Sequence, residues 1–392
     1  MYAAEMQTDS PCLSCFATDI GTTKCHIAVQ GHGESFVDAL ADILNSYKQT
    51  LADHGLSPDT AAFSRIYVSD AANQIAPLKG SELYRVLSSG AVSVVEQPPL
   101  GNAPLAVVSY HISTANGQSS RIVPNEDPIG RRNGALYKGA HYSMLWTAGY
   151  DGRGAFDSAV QSREVLTAVE NRLHYHGMNI FDNLLRTWIY VRDIDNHYKG
   201  MVESRKAFFE ERNLNPDTHY VASTGIEGCG TEVGSLVTVD ALAMAGLAPE
   251  QIVRMEALEN LSPTIKYGVT FERGTRVRFG DRSHLYVSGT ASLDKEGKVL
   301  HEGNVGKQAN RTLDNIQALL APHGARLSDM KHLLVYLRDF HDLRAVQNAV
   351  STRMPTSIPT IFLKGAVCRP TWLVEMEGTA IIPDENAFPP FI

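Results

Sequence analysis

One local pattern occurs three times along this chain, and that repeat narrows the possible folds more than any other feature. His54-Gly55, His176-Gly177 and His323-Gly324 each close an amphipathic helical stretch. Thirteen or fourteen residues after each histidine comes a β-like run ending in Tyr67-Val-Ser-Asp70, Tyr190-Val-Arg-Asp193 or Tyr336-Leu-Arg-Asp339. A glycine directly after a helix suits the C′ position, where the backbone turns left-handed. The histidines are read as helix-terminal residues facing the last carbonyls.

The third copy is the plainest. Val305, Ala309, Thr312, Leu313, Ile316, Leu319 and Leu320 form one apolar stripe at helical spacing. The spacing predicts a hairpin at Arg276–Phe279 and His284–Ser288, a strand over His332–Arg338, a helix over His341–Thr352, and strands at Thr360–Ala366 and Thr371–Ile382. The second copy repeats this with helices over Phe156–His176 and Asn196–Arg212, strands at Met144–Trp146, Leu184–Arg192 and Ser235–Leu242, and one near Tyr220. The first copy offers Glu34–His54, Phe63–Ser69, Asn73–Leu87, Ala91–Glu96 and Leu105–Ile112. Each unit is a mixed β-sheet with two helices on one face. The other sheet face needs cover, and three units supply it by packing sheet against sheet around a common axis. The expected fold is α+β, three tandem units over residues 1–115, 116–245 and 246–392 forming an intramolecular pseudo-trimer. Residues 114–139 and about 243–261 are read as joins, the first of them polar.

With 43% apolar and 20% charged residues and a formal net charge of −8, the composition is that of a globular protein without a basic stripe for phosphate. Nucleic acid is therefore not an expected partner. Cys12, Cys15, Cys25, Cys229 and Cys368 are odd in number, which reads as reduced thiols, and the lone C-x-x-C lacks the four ligands of a structural metal site. Residues 1–15 lack the pattern of a secretory signal, and no run of about 18 apolar residues spans a membrane. The expected location is cytoplasmic.

Near the end of the chain, Cys-Arg-Pro reads as a turn leading into the strand from Thr371. Alternation places Trp372, Val374 and Met376 on one face and Leu373, Glu375 and Glu377 on the other. A carboxylate inside so apolar a strand is costly unless paired. Either a cation faces Glu375 across an interface, or Glu375 is held protonated.

The unit order, with its closing Leu-Val-Glu-Met-Glu strand, resembles the YjgF/RidA family, also called endoribonuclease L-PSP. The resemblance implies trimers, here folded into one chain, with ligand sites in the clefts between units. It also implies a deaminating glutamate at Glu375. The family's arginine after a proline has no match, because Thr360, Ile361 and Phe362 follow Pro359. Copies one and two lack the glutamate, so at most one cleft is equipped. A narrower resemblance, to the chorismatases of that superfamily, rests on five segments in order. They are Val221-Ala-Ser-Thr-Gly-Ile226, Tyr267-x5-Arg273, Val287-Ser-Gly-Thr-Ala-Ser292, His301-x-Gly303 with Gln308 and Thr312, and Val367-Cys-Arg-Pro-Thr-Trp-Leu-Val-Glu375.

That resemblance implies conversion of chorismate to a hydroxybenzoate, the 3-isomer first, plus pyruvate, without metal or organic cofactor. Glu375 would be the general acid, its pKa raised by burial and by Glu377. Cys368 would govern whether the ring aromatises, against the plainer reading of a small buried hydrophobe. Arg273 and Arg353 would clamp the two carboxylates, since guanidinium pairs with carboxylate in two-pronged fashion. Tyr267 would hydrogen-bond the ligand, against a core tyrosine, and Ala291 would line the pocket. Arg276, Arg278 and Arg282 read as surface residues. The rivals are an imine or enamine deaminase and a non-catalytic small-molecule binder; the ribonuclease label is disfavoured by the acidic balance. A monomer or weak homo-oligomer is expected.

Overall fold

The structure is a computed structural model describing residues 11–114, 121–125, 134–264 and 268–392. The first unit runs β1 (Cys12–Phe16), β2 (Thr22–Gly31), α1 (Phe36–Asp53), β3 (Ala61–Val68), α2 (Ala71–Gly80), α3 (Glu82–Leu87), β4 (Ala91–Glu96) and β5 (Leu105–Thr114). The second has β6 (Arg121–Asn125), β7 (Gly134–Lys138), β8 (Ser143–Asp151), α4 (Ser158–Tyr175), α5 (Ile180–Asn183), β9 (Leu184–Val191), α6 (Ile194–Glu210), β10 (Ala222–Glu227) and β11 (Val237–Ala245). The third has β12 (Ile252–Arg254), β13 (Gly274–Arg278), β14 (Arg282–Thr290), α7 (Val305–Leu320), β15 (Met330–Leu337), α8 (Leu343–Arg353), β16 (Thr360–Lys364) and β17 (Val374–Pro383).

The sheets are ordered β1-β2-β5-β3-β4, β10-β9-β11-β8-β7-β6 and β12-β13-β14-β17-β15-β16. In each, the last strand of the repeat (β5, β11, β17) lies in the middle, antiparallel to both neighbours, and one parallel pair (β3–β4, β9–β10, β15–β16) is crossed over by helix. The histidine-glycine signals hold. Gly55, Gly177 and Gly324 take φ of +64°, +68° and +77°, and His54 Nδ1 lies 2.9 Å from the Thr50 carbonyl it caps.

Several boundaries differ from expectation for physical reasons. The first-copy helix expected over Asn73–Leu87 is two helices, because the Ser81 hydroxyl accepts from Tyr84 N–H and starts a new one. The strand near Tyr220 begins at Ala222, and the final strand begins at Val374, after the turn has run on through Thr371. The expected joins contain strands: β6 and β7 pair with each other, and β12 pairs with β13. They extend sheet edges that would otherwise leave backbone groups open. Cys15 and Cys25 are directly opposed on β1 and β2 and form a disulfide, so the reading of every cysteine as a thiol fails for this pair. Among the described residues no helix is long and apolar enough to cross a membrane.

The helix-free sheet faces meet at the axis in one core containing residues of all three units. Tyr67, Tyr190 and Tyr336 are fully buried there. Two ion pairs join neighbouring units at this level. Arg65 of β3 holds Asp240 of β11, with N–O distances of 2.7 and 2.9 Å. Arg186 of β9 holds Glu377 of β17. At the third seam His332 of β15 stacks on His26 of β2 with ring centroids 4.6 Å apart. Backbone bonds stitch the rims, including Glu96 to Cys229, Leu100 to Phe362 and Glu227 to Ala366.

Arg282, expected at the surface, is wholly buried at the seam between the third and first units. It pairs with Asp281 and donates to the Thr22 carbonyl at 2.6 Å. The tail after β17 returns to the same seam. Phe391 accepts from Thr22 and lies under the buried Lys24 ammonium, 3.3 Å from its ring centroid.

Because a buried ion pair stripped of one partner leaves an uncompensated charge, Arg65→Met should destabilise the fold by about 3–5 kcal/mol. Adding Asp240→Leu should recover more than half of that loss. Chemical denaturation of the single and double variants measures both.

Candidate active site between the second and third units

Only the third copy places a carboxyl at the cleft position of its central strand. Across the paired strands, Ala106 faces Tyr67, Thr238 faces Tyr190 and Glu375 faces Tyr336. β14 makes room for the acid. Between Val287 and Thr290 its register against β17 slips, so two residues, Ser288 and Gly289, oppose one; such bulges re-aim strands beside binding sites. A Cβ built on Gly289 would meet the Glu375 carboxyl, so any side chain there would push the acid from its present place.

Glu375 is 4% exposed. It lines a pocket with Arg273, Cys368, Ala291 and Trp372 from the third unit and Tyr198 and Ser223 from the second. Burial, and then the carboxylate of Glu377 two residues along, raise its pKa to about 8; Arg186 and Arg273 act against this through space. The cation foreseen opposite the strand exists, but it serves the neighbouring acid. Glu377 takes Arg186 and Thr224 from the second unit and the Tyr336 hydroxyl at 2.6 Å. The ion pair expected at Glu375 thus falls on Glu377 instead, and at Glu375 burial and the neighbouring charge favour the protonated form.

Arg273 is buried at the pocket wall, where Nε and Nη2 donate to the Ser262 carbonyl at 3.2 and 2.9 Å. Cys368 is partly buried, and burial, with the charge of Glu375, pushes its thiol up to about 12; a hydrogen bond with Tyr198 pulls the other way. It is a neutral thiol at pH 7. Ala291 is buried in the lining. Tyr267 lies outside the described residues. Arg353 is not in this pocket. It ends α8 and turns onto α7, where Asp314 holds it at 2.7 Å and the Asn310 carbonyl at 3.0 Å, so its charge is already answered.

The sequence reading missed the second unit's share of the site, Tyr198, Ser223 and Arg186. Their signal is faint: Tyr198 sits on an ordinary amphipathic helix, and only the arginine inside the apolar run Leu184–Val191 departs from pattern. The pocket's free volume is about 20 Å³, below that of a ring-sized ligand. It shares Phe271 and Arg273 with an adjoining chamber of about 220 Å³.

An acid with a raised pKa binds a proton in the folded state that the unfolded chain has released. Stability is then lost as pH rises from the ordinary 4.5 to about 8. Glu375→Gln should therefore melt like the parent protein at pH 5 and above it at pH 8.5, read by thermal denaturation at the two pH values.

Known proteins share parts of this sequence and its fold. Residues 277–382 match the family model described as Endoribonuclease L-PSP. A chorismatase from Streptomyces rapamycinicus is 29% identical over 222 residues, covering 50% of this chain and 64% of that protein. A 3-hydroxybenzoate synthase from Streptomyces hygroscopicus is 26% identical over 224 residues, covering 51% and 64%. The chain thus spans less than two thirds of the length of these relatives. The crystal structure of a chorismatase superposes with a TM-score of 0.62 at 21% identity, covering 82% of this chain and 93% of that one, and shares its fold. Residues 277–382 thus carry the pattern of the Endoribonuclease L-PSP family, and the chain is similar to chorismatases in sequence and in fold.

Proposed function

We propose that this protein is a chorismatase-like enzyme that converts chorismate to a hydroxybenzoate, most readily the 3-isomer, and pyruvate. The observation that carries this reading is a single one. In a chain similar to chorismatases, one inter-unit pocket holds a carboxyl that stays protonated up to about pH 8 beside a buried guanidinium. Glu375 donates its proton to the methylene carbon of the enolpyruvyl ether. This leaves an oxocarbenium ion whose carboxylate pairs with Arg273. Water adding to the cationic carbon, with cleavage of its bond to the ring oxygen, would release pyruvate and the dihydrodiol. For the hydroxybenzoate the neighbouring ring hydroxyl adds instead, and pyruvate carries that oxygen away as its bond to the ring breaks.

Chorismate and the sum of hydroxybenzoate and pyruvate have the same atoms, so an aromatic product requires the ring to lose a proton as the ether gains one. Taken up by the Glu375 carboxylate, that ring proton would restore the acid. Cys368, a neutral thiol beside Glu375, suits hydrogen-bond donation that orients the ring hydroxyl better than proton abstraction. Without a net proton from the ring, water would complete the reaction and the product would be the dihydrodiol. The imine deaminase reading gains no support from the pocket, since the residues after Pro359 that would supply its arginine are Thr360, Ile361 and Phe362.

Incubation with chorismate, with pyruvate followed through a coupled dehydrogenase and the aromatic product identified by chromatography, tests the proposal. Absence of pyruvate would overturn it. Glu375→Gln should slow release by roughly 10²–10⁴-fold, the usual share of a general acid, and wild-type kcat/KM should fall as pH rises through about 8. Cys368→Ala should keep pyruvate release and move the products from hydroxybenzoate towards dihydrodiol.

A further inference from the structure

With Arg353 committed to Asp314, Arg273 is the one cation among the described residues lining the pocket around Glu375, for a substrate with two carboxylates. Its own free space is also smaller than the ring. The adjoining chamber supplies both missing things. It has about 220 Å³ of free space and is walled by Arg254, Glu272, His219, Tyr220 and the shared Phe271 and Arg273. Arg254 ends β12, directly opposite Thr275 of β13. That register makes it a diagonal neighbour of Arg273, about 7–8 Å away between backbones and on the same face. Such a span suits two carboxylates of one small ring compound.

The state of the Arg254 side chain points the same way. It is partly buried, and Glu272, which accepts from the Tyr220 N–H at 2.6 Å, acts on it only through space. No described residue accepts a hydrogen bond from its guanidinium. Burial lowers its pKa more than Glu272 restores it, so an incoming anion would be stabilised there. Glu272 itself is pushed up by burial and opposes a bound anion less than a fully ionised acid would.

Resting on the chorismatase reading, we propose that Arg254 holds the ring carboxylate of the substrate in this chamber, while Arg273 takes the enolpyruvyl carboxylate beside Glu375. Arg254 is then the residue that makes the site selective for a ring dicarboxylate. The guanidinium fork matches a carboxylate with two parallel hydrogen bonds.

The test compares chorismate with its ring-carboxylate methyl ester as substrates of wild type, Arg254→Gln and Arg254→Lys. Loss of one charge-assisted contact should raise the chorismate KM of R254Q by roughly 10–100-fold, with kcat changed far less, and should abolish the preference over the ester. R254K, which keeps the charge without the fork, should fall between, and it carries the comparison if R254Q does not fold. Unchanged KM and preference in an active variant would overturn the role of Arg254 and leave the chorismatase reading standing. If wild type releases no pyruvate, that reading fails, and calorimetric titration with benzene-1,3-dicarboxylate decides the site. Binding lost in R254Q supports it; equal binding, or none in wild type, overturns it.

Discussion

Three sheets can share an axis only if the polar groups they bring there are answered across the seams, and two buried arginines do most of that. Arg65 reaches from the first unit to Asp240 in the second, and Arg186 from the second to Glu377 in the third. A buried charge without its partner costs several kcal/mol. Each pair therefore selects one angular setting of its two units, quite apart from any net stability it adds. The positions are related by the repeat. Val108, Asp240 and Glu377 occupy the same place on the three central strands, opposite Arg65, Trp188 and Leu334. The third seam, with Val108 at that place, is closed instead by stacked imidazoles, by the buried Arg282 and Lys24, and by the tail around Phe391.

The same pairing shapes the candidate site. Arg186 fixes Glu377 in place, and the fixed carboxylate adds to burial in raising the pKa of Glu375 one pleat away. Strand alternation puts the two acids on one face. The bulge at Ser288–Gly289 opens the space that the nearer acid fills. Fold and chemistry are linked here through one strand: removing the axial cation would disturb the assembly of units and the acidity of the cleft together.

Much of this was legible in the amino-acid order because it is written in local terms. Helix caps, the period of the Val305–Leu320 stripe and the acid inside an apolar strand each announce themselves within a few residues. What stayed hidden depends on distant neighbours. The Cys15–Cys25 bond follows from a cross-strand register, and the burial of Arg282 follows from a tail that returns from over a hundred residues away. The edge strands at 121–125 and 252–254 carry too little apolar alternation to stand out from a polar join. Arg353 shows the converse error. A two-pronged cation at a plausible place in the chain was already satisfied by Asp314, one helix over, while Arg254 looked like any arginine of a linking segment.

Joining the units in one polypeptide has a further effect. In a ring of three identical subunits every substitution appears at three places, so a residue useful in one cleft must be tolerated in the others. Here the cleft that holds Glu375 draws Tyr198 and Ser223 from one unit and its acid from another, while the matching places elsewhere hold Thr238 and Ala106. Symmetry is kept in the backbone and given up in the side chains. Among the described residues one cleft carries the buried acid, and the other two are free to drift towards scaffolding.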